Sequence, residues 1–303
     1  MPPSRPLPSL SPLIFRAVDA IKVAEPPLRR WLLPDRFTRV EVETSSRCNR
    51  ACGYCPVSAV RRPDHRMEEA LFDSILDQLA EIGFRGRFSP HFFGEPLVDV
   101  RLERLMRRCR EALPRAQIVI YTNGDALTPE RATALLDAGV DRFIVTFEEP
   151  GESRAFQRTR AALPRRTLWR RFLVRHFDRD VRHAYNRGGT VRFPGREHAA
   201  TACQAPSVAL VVDAWGKVKL CANDYHGRED WGDLHRERLM DIWNRPDFAQ
   251  LRRELLSGTF RKEICRVCSG RAPSTDTLAT YGAGGSGGAG RAGGQGGSGG
   301  QGG

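Results

Sequence analysis

Three closely spaced cysteines, Cys48, Cys52 and Cys55, form a CxxxCxxC pattern. Thiolates are soft ligands, suited to iron-sulfur clusters and to zinc. A loop this tight keeps all three sulfurs on one small cluster. Three thiolates leave one iron of a four-iron cubane without a protein ligand, open to a chelating molecule. A structural zinc wants four ligands, and no fourth Cys or His lies nearby in the sequence. A second set follows, because Cys203, Cys221 and the Cys265-x-x-Cys268 pair supply four more thiolates. Four thiols can fully ligate a second four-iron cluster or a structural zinc, and spacing alone does not choose between them. Cys109 belongs to neither set.

The first triplet must be positioned by what precedes it, a strand candidate at Thr38–Thr44. Further strand patterns follow at Arg87–Phe93, Gln117–Thr122 and Arg142–Phe147, with shorter ones at Phe172–Phe177 and Thr190–Phe193. Helical patterns lie between them. From Met67 to Ile82, the residues Leu71, Ile75, Leu79 and Ile82 share one face. Thr128-Pro129-Glu130 reads as an N-cap with Pro at the first helical position, and Gly139 ends that helix. Alternating strands and helices argue for parallel βα units, with the cysteine loop at the C-terminal end of a strand, where such folds place chemistry. Past residue 195, Val208–Asp213 and Lys217–Cys221 form a β-hairpin through Ala214-Trp215-Gly216, and a helix spans about Leu239 to Leu255. The expected segments are a Pro-rich extension (1–37), a barrel (38–194), a small hairpin-plus-helix unit (195–272) and a Gly-rich disordered tail (273–303). The extension carries a short amphipathic stretch, Leu13, Ile14, Val18 and Ile21, able to cap a barrel end.

Composition narrows the function classes. The 303 residues are 40% hydrophobic, ordinary for a globular protein. No run approaches the roughly 20 apolar residues of a membrane span. The N-terminus lacks the apolar core and cleavage site of a signal peptide, so a cytoplasmic protein is expected. Eight cysteines in that setting read as ligands rather than disulfides. The net charge of +12 invites a nucleic-acid reading. It comes almost wholly from Arg spread along the chain, with only Lys22, Lys217, Lys219 and Lys262 as lysines. Solvated Arg-rich faces are the simpler account.

The triplet and the strand ends after it resemble the radical S-adenosylmethionine (SAM) family. Phe93-Gly94-Glu95-Pro96 is similar to that family's GGEP motif, with Phe93 where the first Gly often stands. Tyr121-Thr122-Asn123-Gly124 is similar to its TNG motif. The resemblance implies an α/β fold, a partial (β/α)6 TIM-like barrel with a small twitch domain. It implies that Cys48, Cys52 and Cys55 hold a site-open [4Fe-4S] cluster. It also implies that Gly94, Glu95, Pro96, Thr122, Asn123 and Gly124 contact SAM, with Tyr54 packing near the adenine or the cluster. Reduced cluster and SAM then yield a 5′-deoxyadenosyl radical.

The later segment resembles the short, twitch form of a SPASM domain. The residues that carry this are Val212 to Cys221, Gly232-Asp233-Leu234, Asp241-Ile242-Trp243-Asn244, Leu251-Arg252 and Cys265-x-x-Cys268. The implied ligands of a second, auxiliary [4Fe-4S] cluster are Cys203, Cys221, Cys265 and Cys268, and its implied work is electron transfer. Within this group the chain is similar to the SAM-dependent 2-deoxy-scyllo-inosamine dehydrogenases of aminoglycoside biosynthesis, from about Val40 to Cys268. That implies oxidation of a secondary alcohol of a cyclitol, amino sugar or similar polyol to a ketone, with a flavodoxin- or ferredoxin-type reductant. Arg187 of Asn186-Arg187-Gly188-Gly189 matches the active-site Arg. Its pKa makes it a poor base, so stabilising a developing alkoxide is its expected role. Phe93, Ala222 and Asn223 depart from those dehydrogenases, so the particular inosamine does not carry over.

Two rival activities share these motifs. An epimerase must return a hydrogen atom, and Cys109 is the spare thiol. A peptide maturase often carries a leader-binding domain, for which a 37-residue lead is too short. A non-catalytic iron-sulfur or zinc protein would lack the SAM-facing strand ends. The seven histidines form no ligand cluster; His91 on the second strand is placed to point into the barrel mouth, and His176 and His183 lie near Arg187, where either could serve as a base or fill a core or surface position.

Overall fold

Alternation along the strands builds two unlike faces. In β1 (Arg39–Val42), Val40 and Val42 are fully buried, while Arg39 and Glu41 point to the opposite side of the pleat. The same pattern recurs in β2 (Arg87–Ser89), β3 (Gln117–Thr122), β4 (Arg142–Phe147) and β5 (Phe172–His176). Phe88, Ile118, Ile120, Phe143 and Val145 join Val40 and Val42 in one hydrophobic core under the helices. The facing side carries Glu41, Ser89, Tyr121, Thr146 and Arg175 together with apolar Val119 and Ile144, a mixed lining. A computed structural model describes residues 36–147, 151–177, 186–194, 199–274 and 279–280. The amphipathic stretch at Leu13–Ile21, His183 and the Gly-rich segment from 281 lie outside the described residues.

The helices follow from amphipathic runs. Helices α1 (Glu69–Glu81), α2 (Leu102–Ala112) and α3 (Pro129–Asp137) connect successive parallel strands. On α1, Leu71, Phe72, Ile75, Leu76 and Leu79 are buried, a stripe at helical spacing. Thr128 caps α3 as its side chain accepts from Arg131 N at 3.3 Å, and Pro129 fills the first turn. Helices α4 (Arg154–Ala162) and α5 (Arg165–Arg171) are separated by Pro164, which cannot donate into a continuing helix. Among the described residues no helix is long and apolar enough to cross a membrane.

With β7 at Ala209–Val212, β8 at Lys217–Lys219 and β9 at Asp230–Asp233, the main sheet has the order β5-β4-β3-β2-β1-β7-β8-β9. Its parallel part contains six strands, because β7 (Ala209–Val212) runs parallel to β1, Val40 beside Leu210. This corrects the expectation that Thr190–Phe193 supplies the sixth barrel strand. Strand β6 (Val191–Arg192) instead pairs with β10 (Ala279–Thr280) in a separate two-stranded sheet. The reason is local: β7 is four consecutive buried apolar residues, as an inner parallel strand requires. Strand β6 is only two residues long, pinned between Gly189 and Pro194. Strands β8 (Lys217–Lys219) and β9 (Asp230–Asp233) extend the sheet antiparallel, and β7 with β8 is the expected hairpin. The segment after 195 is thus continuous with the barrel sheet. Residues expected to open a disordered tail also take part, through Ser274 Oγ, which donates to Gly189 O at 2.7 Å, and through β10.

Beyond the hairpin come α6 (Ala205–Val208, before β7 in the chain), α7 (Leu239–Trp243), α8 (Pro246–Leu256) and α9 (Glu263–Cys268). The single helix expected over Leu239–Leu255 is two, divided before Pro246. Buried Arg252 packs on Trp243, 4.0 Å from the ring centroid, and donates to Trp243 O at 2.9 Å.

Cys109 lies on α2, fully buried in the helix-side core. Its charged neighbours are Arg110 and Asp141, and Asp141 accepts from Ile118 N near the start of β3. That is the end of the sheet opposite the cysteine loop. Replacing Cys109 with Ala is expected to cost about 1 kcal/mol by removal of buried volume and to leave SAM cleavage unchanged. Denaturant melting and 5′-deoxyadenosine assays measure the two effects.

Candidate active site

The first cysteine loop leaves the end of β1 and is closed at its base. Ser45 bridges to Arg66. Ser46 N donates to His65 O at 3.0 Å, and His65 N donates back to Ser46 Oγ at 2.8 Å. Inside the loop, Cys55 N donates to Cys52 O at 2.9 Å, and a 3-10 turn at Pro56–Ser58 follows. Cys48, Cys52 and Cys55 are each partly buried. Burial pushes the Cys48 and Cys55 thiols up, and the Arg187 charge partly offsets this at Cys55.

A buried carboxylate, not anticipated from the sequence, anchors this loop. Glu43 is wholly inaccessible. Its Oε1 accepts from Phe93 N at 3.0 Å, Gly94 N at 2.8 Å and Arg62 Nη2 at 2.5 Å. Its Oε2 accepts from Arg62 Nη1 at 2.9 Å and Ala214 N at 3.2 Å. The Arg62 guanidinium carbon in turn sits 5.4–5.7 Å from the ring centroids of Phe92, Phe93, Trp215 and Tyr225. Tyr225 Oη donates to Val60 O. One ion pair within an aromatic box therefore joins the cysteine loop, the Gly94 turn and the β7–β8 hairpin. The bidentate geometry suits Arg and not Lys.

Gly94 is set by contact. A Cβ there would meet Ser45 O at 1.9 Å, so only glycine lets this turn lie on the cysteine loop. Glu95 N donates to Arg47 O at 2.8 Å, fastening the same contact. The Glu95 side chain points the other way. It accepts from Thr122 Oγ1 at 2.6 Å, Asn123 N at 2.8 Å and Leu97 N at 3.1 Å. Burial raises its pKa, and these donors pull against the rise. Asn123 Nδ2 donates to Asn49 Oδ1 at 2.9 Å, and Asp125 accepts from Asn49 at 2.9 Å and from Arg50 Nε at 2.7 Å. Gly94, Glu95, Pro96, Thr122, Asn123 and Gly124, predicted as SAM contacts, thus lie in two turns cross-linked to the cysteine loop.

The second thiol set is brought together from distant segments. Cys203 N donates to Leu255 O at 2.8 Å. Cys265 and Cys268 stand three apart on α9 and share a face. Burial pushes Cys203 up to about 11 and Cys265 up to about 12, and neighbouring thiols of the set add to both. Cys221 is raised by burial and by Cys268 and Cys203. The four are close enough to repel one another as thiolates, so ligation by a cationic centre would release their protons. Among the described residues no three His, Cys, Asp or Glu side chains converge on one point as ligands of a single ion do. A four-iron cubane spreads its thiolates over a wider cage. Purely thiolate donors, partly buried beside apolar walls, suit iron-sulfur clusters at both sets.

Arg187 lies between the two sets. It is the only non-glycine with positive φ among the described residues, at 50°. Its Nε donates to Tyr54 O at 3.4 Å, and its charge acts on both Cys55 and Cys268. Strain of this kind persists where surrounding structure enforces it. Here Asn186 Nδ2 donates to Val267 O at 2.7 Å and Thr190 Oγ1 donates to Arg187 O at 2.7 Å. Tyr54 stacks on Phe177, with ring centroids 3.7 Å apart. Of the histidines, His91 stacks on Tyr121 at 4.5 Å, its Nδ1 buried with no hydrogen-bond partner and its pKa lowered by burial. His176 faces the Phe147 ring at 6.2 Å.

The chain is similar to known proteins along most of its length. The radical SAM superfamily model matches residues 42–173, and the SPASM iron-sulfur cluster-binding domain matches residues 203–269. The S-adenosyl-L-methionine-dependent 2-deoxy-scyllo-inosamine dehydrogenase of Niallia circulans is 33% identical over 248 residues, 81% of this chain and 98% of that enzyme. The crystal structure of BtrN in complex with AdoMet and 2-DOIA is similar with a TM-score of 0.72 and 31% identity, covering 81% of this chain and 98% of that one. The GTP 3′,8-cyclase of Mycobacterium marinum is 36% identical over 124 residues, only 38% of this chain and 34% of that enzyme.

Glu43→Ala leaves Arg62 and three backbone N–H groups without their acceptor. The expected cost is about 3–5 kcal/mol, the scale for breaking a buried ion pair, with loss of iron from the first thiol set. Denaturant midpoints and iron per chain check this, and wild-type values for both would contradict the anchoring role.

Proposed function

The chain belongs to the radical SAM superfamily and carries a SPASM iron-sulfur domain, and from this premise we propose that it oxidises a secondary alcohol of a cyclitol, amino sugar or similar polyol to a ketone. The observation that carries the reading is the Arg187 turn, which touches the first thiol loop through Tyr54 and the second through Cys268. Cys48, Cys52 and Cys55 would hold the site-open cluster, and Cys203, Cys221, Cys265 and Cys268 the auxiliary one. When bound, these clusters and SAM supply the 5′-deoxyadenosyl radical and an acceptor for the second electron.

The protein's own part is positioning. The Gly94–Pro96 and Thr122–Gly124 turns would hold SAM at the open edge of the thiol loop, with Tyr54 beside them. The substrate gives up its carbinol hydrogen as an atom, its hydroxyl hydrogen as a proton, and one electron. An arginine guanidinium is a poor base, so Arg187 would stabilise the alkoxide rather than take the proton. A medium of low polarity strengthens that interaction. An epimerase would need a hydrogen donor, and Cys109 is buried at the far end of the sheet, which favours oxidation. We also read the enzyme as cytoplasmic, reduced by a flavodoxin- or ferredoxin-type protein, with no nucleic-acid partner.

Anaerobic reconstitution with iron and sulfide, followed by SAM, reductant and a panel of cyclitols and amino sugars, tests this reading. Two four-iron clusters correspond to about eight irons per chain, with 5′-deoxyadenosine and ketone formed in equal amounts. Solvent deuterium entering a carbon position without oxidation would indicate epimerisation instead. Arg187→Lys is expected to lower ketone formation about 10²-fold, the scale of one lost oxyanion donor, while SAM is still cleaved. An unchanged ketone yield would remove Arg187 from the active site.

A further inference from the structure

The second thiol set is not symmetric. Cys203 and Cys221 are each faced by one backbone N–H, from Ala205 and Asn223 respectively. Cys268 is different. Its sulfur lies 3.8 Å from Asn223 Nδ2, it is also faced by the Gly188 backbone N–H, and it lies within the field of Arg187. We propose that Asn223, by donating its amide N–H to the Cys268 sulfur, sets the reduction potential of the auxiliary cluster so that it accepts the substrate's second electron. This rests on reading Cys203, Cys221, Cys265 and Cys268 as ligands of that cluster.

The geometry is built rather than incidental. Asn223 sits in a tight turn just after Cys221, with Asp224 N donating to Cys221 O at 3.1 Å and Tyr225 N donating to Asn223 O at 3.0 Å. Buried Asp224 holds the far side of this turn by accepting from Arg228 N at 3.0 Å. Opposite it, Gly188 has φ +68°, and a Cβ there would meet Asn223 O at 2.8 Å and Ile264 Cδ1 at 3.1 Å. The absence of a side chain at 188 therefore lets the Arg187 turn press against Asn223 and α9 together.

Hydrogen bonds to cluster sulfurs are among the factors that set potential. Adding an electron makes each thiolate sulfur more electron-rich, so an N–H donor stabilises the reduced state more than the oxidised one. Asn223 is a positioning and tuning residue in this account, since it touches a ligand and not the substrate. The donors gather on Cys268, the thiol of this set whose surroundings include Arg187. The cluster is thus most receptive on the side where the alcohol is expected to bind.

The test uses the full chain with Cys48, Cys52 and Cys55 all replaced by Ala, so that only the second set binds iron. Iron analysis comes first, and one four-iron cluster means about four irons per chain. A redox titration followed by electron paramagnetic resonance then compares this parent with added Asn223→Ala and Asn223→Asp. Losing the donor is expected to shift the reduction equilibrium about tenfold toward the oxidised cluster, about 59 mV lower for one electron. Asn223→Asp should fall further, because a carboxylate adds negative charge beside the sulfur. Variants that keep the cluster with unshifted potentials would overturn the inference alone. Loss of iron from both variants would assign Asn223 a merely structural role and also overturn it. A parent that binds no four-iron cluster would overturn the reading of the four thiols, and the inference with it.

Discussion

The Glu43 carboxylate is held without solvent contact at the end of β1, where it accepts from Arg62, Phe93, Gly94 and Ala214. These partners come from the cysteine loop, the turn after β2 and the hairpin after β7. Burying two charges costs several kcal/mol, so such a pair adds little net stability compared with apolar packing. Its effect here is on geometry. With all five donors on one carboxylate, the three segments have a single mutual arrangement, and the loop cannot shift without orphaning a buried charge. The aromatic box around Arg62 extends the constraint to Trp215 and Tyr225.

From that anchor the site is assembled by two further buried contacts. Glu95 reaches forward to the Thr122–Asn123 turn as Glu43 reaches back to the Gly94 turn. The acids on either side of Gly94 thereby bracket the region assigned to SAM. On the other side, the strained Arg187 turn is wedged between Tyr54 and the α9 thiols. The two thiol sets are not independent modules on this view. β7 belongs to the barrel sheet, yet its hairpin leads directly to Cys221, so the auxiliary set is registered on the same strands as the first.

Much of this was legible in the sequence because it is local. Alternating apolar residues marked the strands, the 3.6-residue stripe marked α1, and Thr128-Pro129 marked a helix start. Both thiol sets announced themselves by residue type. What was not legible depends on pairing at long range. The apolar run Ala209–Val212 has the character of an inner strand, but that it pairs with β1 while Val191–Arg192 joins a minor sheet is set by contacts far apart in sequence. Nothing local in the sequence marks Glu43 and Arg62 as a pair, because they stand 19 residues apart and meet only in the folded chain. Asn223 was noticed only as a departure, because its contact with Cys268 spans 45 residues of sequence. The Asn186–Gly189 turn did carry a signal, since paired glycines after Asn suggest positive φ, but nothing in it specified that Arg187 would share the strain.

The central claim is that the second thiol set removes an electron from a substrate radical generated at the first. Rapid-freeze electron paramagnetic resonance of a Cys268→Ala variant, given SAM, reductant and an alcohol substrate, tests this most directly. The account predicts that 5′-deoxyadenosine still forms while a carbon-centred substrate radical accumulates and ketone does not. Ketone formed at the wild-type rate, with no radical detected, would contradict it.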